Sequence, residues 1–134
     1  MNNKRSGTKF EREFADYLFS KGFWVLNVQP NQAGQPADII AVKNEKALLI
    51  DCKELKTKRF ELSRVETNQE MSMKLWNECG NGDSFFAIKL LNGEIYMMPF
   101  SIIRLLKHDE CKSFTVDWLK KSAQRVDQWV TRFM

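Results

Sequence analysis

Asp38, Asp51 and Lys53 fall where apolar strands end, a setting in which charged side chains have chemical consequences. Residues 36–42 read Pro-Ala-Asp-Ile-Ile-Ala-Val, residues 43–46 Lys-Asn-Glu-Lys, and residues 47–53 Ala-Leu-Leu-Ile-Asp-Cys-Lys. That is the pattern of strand, turn, strand. With Asn44-Glu45 as the loop, Lys43 faces Lys46, and the same register sets Asp38 directly opposite Asp51 with Cβ atoms about 5 Å apart. Lys53 follows Asp51 by two, so it points to the same face roughly 7 Å further along the strand. Opposed carboxylates repel unless a cation stands between them, and a divalent metal meets that need. The alternative is a frayed strand end with both aspartates solvated. Against it stands the second strand, apolar on both faces through Ala47, Leu48, Leu49 and Ile50, as a central strand covered on both sides would be.

A third carboxylate comes from the preceding element. A helix over about residues 8–21 carries Phe10, Phe14, Tyr17 and Leu18 on one face and ends at Gly22. On its helical wheel Glu11 lies nearer that face than Glu13, which makes Glu11 the candidate and Glu13 a surface residue. A strand over 23–28 and a polar loop through Gly34 lead into the hairpin. Beyond it, Ser63 and Glu66 form a capping box opening a helix of about sixteen residues that ends near Gly80, with Val65, Met73 and Trp76 on one side and Gln69 beside them. Strands over 84–91 and 94–98 flank Asn92-Gly93, a strong hairpin signal. Pro99 opens a short helix through Leu106. A last helix over about 116–133, with Leu119, Ala123, Val126, Val130 and Phe133 in helical spacing, packs on the core or pairs with a second subunit.

The chain has 134 residues and no linker, repeat or low-complexity tract, which implies one domain over 1–134 with its core at about 8–106. No apolar run approaches the ~20 residues of a membrane span, and the N-terminus lacks a signal-peptide core, so a soluble cytoplasmic protein is expected. Cys52, Cys79 and Cys111 are odd in number and far apart, which predicts free thiols, with Cys52 packed in the core opposite the charges that flank it. His108 is the single histidine, excluding His-rich metal sites and arguing against His-dependent hydrolytic triads. The net charge is +4, with basic residues gathered at Lys4, Arg5, Lys9 and Arg12 and again at Lys53, Lys56, Lys58, Arg59 and Arg64. The second group runs straight on from the aspartates, so a polyanion lying over the metal site would be guided and neutralised there. Nucleic acid is the obvious polyanion.

These residues resemble the metal-dependent PD-(D/E)xK nuclease superfamily and, within it, Holliday-junction resolvases of the RecU and archaeal Hjc type. Gly7-Thr8-Lys9-Phe10-Glu11-Arg12-Glu13 is similar to a Gly-x-x-Phe-Glu-x-Glu opening, Asp38, Asp51 and Lys53 to the hairpin signature, and Phe60-Glu61-Leu62, Gln69, Met73 and Phe85-Phe86-Ala87-Ile88 to later positions of RecU-like enzymes. There are departures: Ala37 separates Pro36 from Asp38, Asp51 stands where glutamate is more frequent, and 22–38 is too short for the RecU stalk insertion. The compact archaeal type or a phage-encoded relative is closer in size.

The resemblance implies an α/β restriction-endonuclease-like domain with a central mixed sheet flanked by helices. It implies a homodimeric Mg²⁺-dependent endonuclease, with Mn²⁺ as a substitute ion, that resolves four-way junctions in bacterial, archaeal or phage recombination and repair. Catalytic residues would be Glu11, Asp38, Asp51, Lys53 and Gln69, the last by resemblance alone. Asp38, Asp51 and the Cys52 backbone carbonyl would hold Mg²⁺, a cation that prefers oxygen. Glu11 would hold a second metal or order a water, and Lys53 would orient the attacking water or stabilise charge on the phosphorane. Lys4, Arg5, Lys9, Lys56, Lys58, Arg59 and Arg64 would contact DNA. No membrane and no small-molecule cofactor is expected. A restriction-like or repair endonuclease acting on other DNA, and a non-catalytic DNA-binding module, are the competing readings.

Overall fold

The computed structural model describes the backbone of residues 3–28 and 37–134 and, within those ranges, the side chains from Lys9 onward. The elements run α1 (Asn3–Ser20), β1 (Trp24–Asn27), β2 (Ile39–Lys43), β3 (Lys46–Leu55), β4 (Arg59–Glu61), α2 (Thr67–Trp76), β5 (Phe85–Leu90), β6 (Ile95–Pro99), α3 (Phe100–His108), β7 (Ser113–Thr115), α4 (Val116–Ser122), β8 (Gln124–Arg125) and α5 (Val126–Trp129), closing in a 3-10 turn (Val130–Phe133). Six strands form one mixed sheet in the order β1-β2-β3-β5-β6-β8, parallel only between β3 and β5. A separate ribbon pairs β4 with β7.

Each face of the sheet buries its own apolar cluster. Phe10, Phe14 and Leu18 of α1 pack with Ile39, Ile50, Phe85 and Trp129 on one side. Leu49, Phe86 and Met98 meet Met73 of α2, Ile103 of α3, Leu119 of α4 and the ribbon's Phe60 on the other. The alternation of β3 divides its side chains between these faces. Cys52 joins the α1 side, as expected of a residue flanked by two charges that point the other way.

The hairpin register is the expected one, with Ile39 against Ile50 and Lys43 against Lys46. Asn44 and Glu45 both take positive φ, 51° and 66°, the backbone of a two-residue turn whose twist matches its strands. The first helix begins earlier than expected, at Asn3, since Gly7 weakens a helix by about 1 kcal/mol without ending it.

Two expectations are corrected. Residues 62–64 form a 3-10 turn and Val65 is extended, because Leu62 and Val65 both enter the core; the helix therefore starts at Thr67, with Glu66 rather than Ser63 at its cap. It ends as an α-helix at Trp76, passing into a wide turn over 77–81 in which Gly80 has φ 89°. The single C-terminal helix over 116–133 is three pieces. Leu119 belongs to one face and Trp129, Val130 and Phe133 to the other, so the chain must cross the sheet edge between them. It does so with Ala123 extended and Gln124 and Arg125 paired to β6.

Candidate active site

Asp38 immediately precedes β2, where β3 runs on past it. Its backbone is held from both sides, its N–H donating to the Ile50 carbonyl at 3.1 Å and its carbonyl accepting from Val28 N–H at 2.8 Å. Its carboxylate Oδ2 accepts the Cys52 N–H at 2.7 Å. The side chain thus satisfies a backbone donor that β3 would otherwise offer to a partner strand, which fixes its orientation.

Asp51 is 1% exposed. Gln69 donates from Nε2 to its Oδ1 at 3.2 Å, and the Lys53 ammonium lies 3.2 Å from its Oδ2. That second oxygen has an ion-pair neighbour yet no well-aligned hydrogen bond, an incomplete coordination for a buried carboxylate. Gln69 is itself buried and ties the group together: its Oε1 accepts from Lys53 Nζ and from the Glu66 backbone N–H, both at 3.3 Å. The residue closing the first turn of α2 therefore also orients an aspartate and a lysine of β3. Glu66 is the contributor that the sequence reading missed in this role; the displaced capping box was its only signal.

The carboxyl groups form a chain from Glu11 to Asp38 to Asp51. Burial first, then the Asp38 charge and a hydrogen bond with Asp38, raise the Glu11 pKa to about 7. Burial and the Asp38 charge likewise push Asp51 well above the usual carboxylate range, with Lys53 opposing. Among the described residues no three acidic, histidine or cysteine side chains close round a single point as a metal cage. The donor set is all oxygen, and the buried Asp51 Oδ2 lacks a good partner, which suits a hard divalent cation. The Cys52 thiol is pushed up by burial, remains protonated, and is no nucleophile.

The basic residues divide. Arg64 is half-buried with its guanidinium 5.0 Å from the centre of the Phe60 ring, close enough for the charges of Asp51 and Glu54 to act on it. Phe60 in turn stacks on Phe114 across the ribbon, ring centres 5.0 Å apart. Lys9, Lys56, Lys58 and Arg59 are exposed. The side chains of Lys4 and Arg5, the polar loop over 29–36 and Pro36 lie outside the described residues. Glu13 is on the surface, in an ion pair with Lys89 at 3.2 Å.

The sequence profile described as archaeal Holliday junction resolvase (Hjc) matches residues 2–130, nearly the whole chain. The chain belongs to the Hjc family. As a family member it is a Holliday junction resolvase, an endonuclease of DNA recombination and repair. Among solved structures it is similar to Hjc of Archaeoglobus fulgidus, a Holliday junction resolvase from an archaeal hyperthermophile, with a TM-score of 0.70 and 23% identity over 96% of this chain and 98% of that one. That likeness carries the fold, a mixed sheet between helices. No curated protein matches the chain. No helix among the described residues is long and apolar enough to cross a membrane.

Proposed function

We propose that this Hjc family member cuts four-way DNA junctions by Mg²⁺-dependent phosphodiester hydrolysis at Glu11, Asp38, Asp51, Lys53 and Gln69. The observation that carries the reading is Asp51: a carboxyl almost without exposure, adjoining a second carboxyl and a lysine, is costly unless its charge is used. Asp38, Asp51 and the Cys52 carbonyl would hold Mg²⁺ or Mn²⁺, with Glu11 as a further ligand or the group that orders a water. When bound, the ion supplies a water of lowered pKa and neutralises phosphate charge.

The chain's own residues do the rest. Gln69 holds the Asp51 carboxylate and the Lys53 ammonium at a fixed separation, so neither must reorganise when substrate arrives. Lys53, 14% exposed, presents its remaining donors to the attacking water or to a phosphoryl oxygen. Arg64, Lys56, Lys58, Arg59 and Lys9, with Lys4 and Arg5, supply the phosphate contacts. A homodimer would set two such sites on symmetry-related strands; Met71 and Leu75, four apart on α2 and 65% and 61% exposed, offer apolar surface for a second copy. The protein would act in the cytoplasm, where recombining DNA is found.

A cleavage assay on junction, linear duplex and flap DNA, with Mg²⁺ and with EDTA, tests this. Paired nicks in the junction arms with Mg²⁺ alone are expected. Equal cutting of linear duplex would favour the restriction-like or repair reading, and binding without cutting would favour a non-catalytic module.

A further inference from the structure

An open pit of about 810 Å³ lies at the far end of β3, between that strand, the β5–β6 turn and the start of α4. Val116 and the edges of Leu55 and Leu90, which are 2% and 7% exposed, form its floor, and Leu91 stands at its lip, 77% exposed. Lys56, Lys58, Arg59 and Lys120 line it, with Asp117 among them. Lys120 pairs with Glu94 at 3.8 Å, an exposed pair of the kind that holds a side chain weakly. Arg59 is more firmly placed, since its Nε donates to Ser113 Oγ at 2.8 Å, fixing the guanidinium plane at the rim.

Leu55 follows Asp51 by four residues on the same face of β3, so the pit opens about 13 Å from the buried aspartate. A polymer bound at the active site and running along β3 would pass it. Duplex DNA would touch the surrounding cations with its phosphates, but a stiff rod cannot bring apolar surface down to the leucines. The volume is within the ~300–1,000 Å³ of sites that enclose one small organic ligand. An occupant with a flat, weakly polar body and flanking negative charge satisfies both the floor and the rim.

We propose, resting on the nuclease reading above, that the pit receives one nucleotide of the branched substrate turned out of its stack near the branch point. Its base lies against Leu55, Leu90 and Val116 beneath the Arg59 guanidinium, and its phosphates meet Lys56, Lys58 and Lys120. Arginine planes and apolar side chains both accept an unstacked base. Extruding a base from intact duplex costs a few kcal/mol, and the cost is least where pairing is already interrupted. The pit therefore favours branched over linear DNA without reading sequence.

The test uses the full chain in EDTA with four-way junctions carrying 2-aminopurine singly at each position next to the branch point. Binding should brighten one position by about threefold or more, as expected for a base leaving its stack, with no such rise in linear duplex. Leu91→Glu, at an exposed site that leaves the fold intact, should remove that rise and weaken junction binding about tenfold, with an unchanged melting temperature. Lys120→Glu, exposed on α4, should do the same. No brightening at any position, or brightening that survives both substitutions, would overturn the proposal. Since fluorescence is read without metal, absent cleavage in Mg²⁺ would count against the nuclease reading and leave this result standing.

Discussion

Two hairpins of the same sheet are buried alike and built differently. In the β2–β3 hairpin, Asp38 immediately precedes Ile39, which pairs with Ile50 beside Asp51; across the parallel pair Asp51 adjoins Phe86, and Phe86 adjoins Met98 in the β5–β6 hairpin. Asp51 is 1% exposed, and Phe86 and Met98 are 0% exposed. With burial equal, partners make the difference. Phe86 and Met98 need only apolar neighbours, whereas Asp51 requires Gln69 and Lys53, in a place where hydrophobic side chains would cost nothing to desolvate. Both hairpins feed the core, and at this one position β3 places a carboxyl where the β5–β6 hairpin has apolar side chains, at the expense of stability.

Asp51→Asn tests this contrast with the largest expected effect. It keeps the shape and removes the charge, so Mg²⁺-dependent junction cleavage should fall by more than about a hundredfold, beyond the loss typical of residues behind a metal ligand. Junction affinity in gel shifts should hold or tighten, because cations make the phosphate contacts. Near-normal turnover would remove Asp51 from the active site. Phe86→Ala is the complementary change next door: about 3–5 kcal/mol of stability should be lost in urea unfolding, while the folded fraction still cleaves. A small stability loss with abolished cleavage would erase the distinction between the hairpins.

Gln69→Ala should slow single-turnover cleavage about 10- to 100-fold with little change in binding, the pattern of a residue that orients others. Weakened binding with an unchanged rate would instead make Gln69 a DNA contact. The smallest effect is on pH dependence. Glu11 titrates near 7 in the folded state against 4.5 ordinarily, so the folded metal-free protein retains a proton that the unfolded chain has lost. Its contribution is fully present below about pH 4.5 and lost as pH rises through about 7. Melting temperature without divalent ions should therefore decline across that window, Glu11→Gln should flatten the decline, and Mg²⁺ affinity should rise with pH as the ion displaces the proton. A decline unaffected by Glu11→Gln would assign it to other groups.

Legibility followed the range of the forces involved. The hairpin could be read because turn and register are local: Asn44-Glu45 sets the pairing of Lys43 with Lys46 and of Ile39 with Ile50. Glu11 was legible from helical spacing against Phe10 and Phe14. Gln69 was legible only through resemblance, since its hydrogen bonds to Asp51 and Lys53 bridge 18 and 16 residues of chain. The capping box was misplaced by three residues because Leu62 and Val65 are drawn into the core, and burial outweighs a cap worth about 1 kcal/mol. The C-terminal stripe had helical spacing but served two faces of a sheet, and a one-dimensional pattern does not record which face a residue meets.

The sequence by itself determined the chemistry: which residues are acidic or basic, their spacing along strand and helix, and the membership of a family whose members cut DNA junctions. Those features rest on covalent order and local geometry, which need no distant partner. Only the tertiary structure decided that Glu11 meets Asp38, that Gln69 joins Asp51 to Lys53, and that a basic pit with an aliphatic floor opens beyond them. Each depends on how helices seat on the sheet, and that is set by the summed burial of many apolar side chains rather than by any short stretch of sequence.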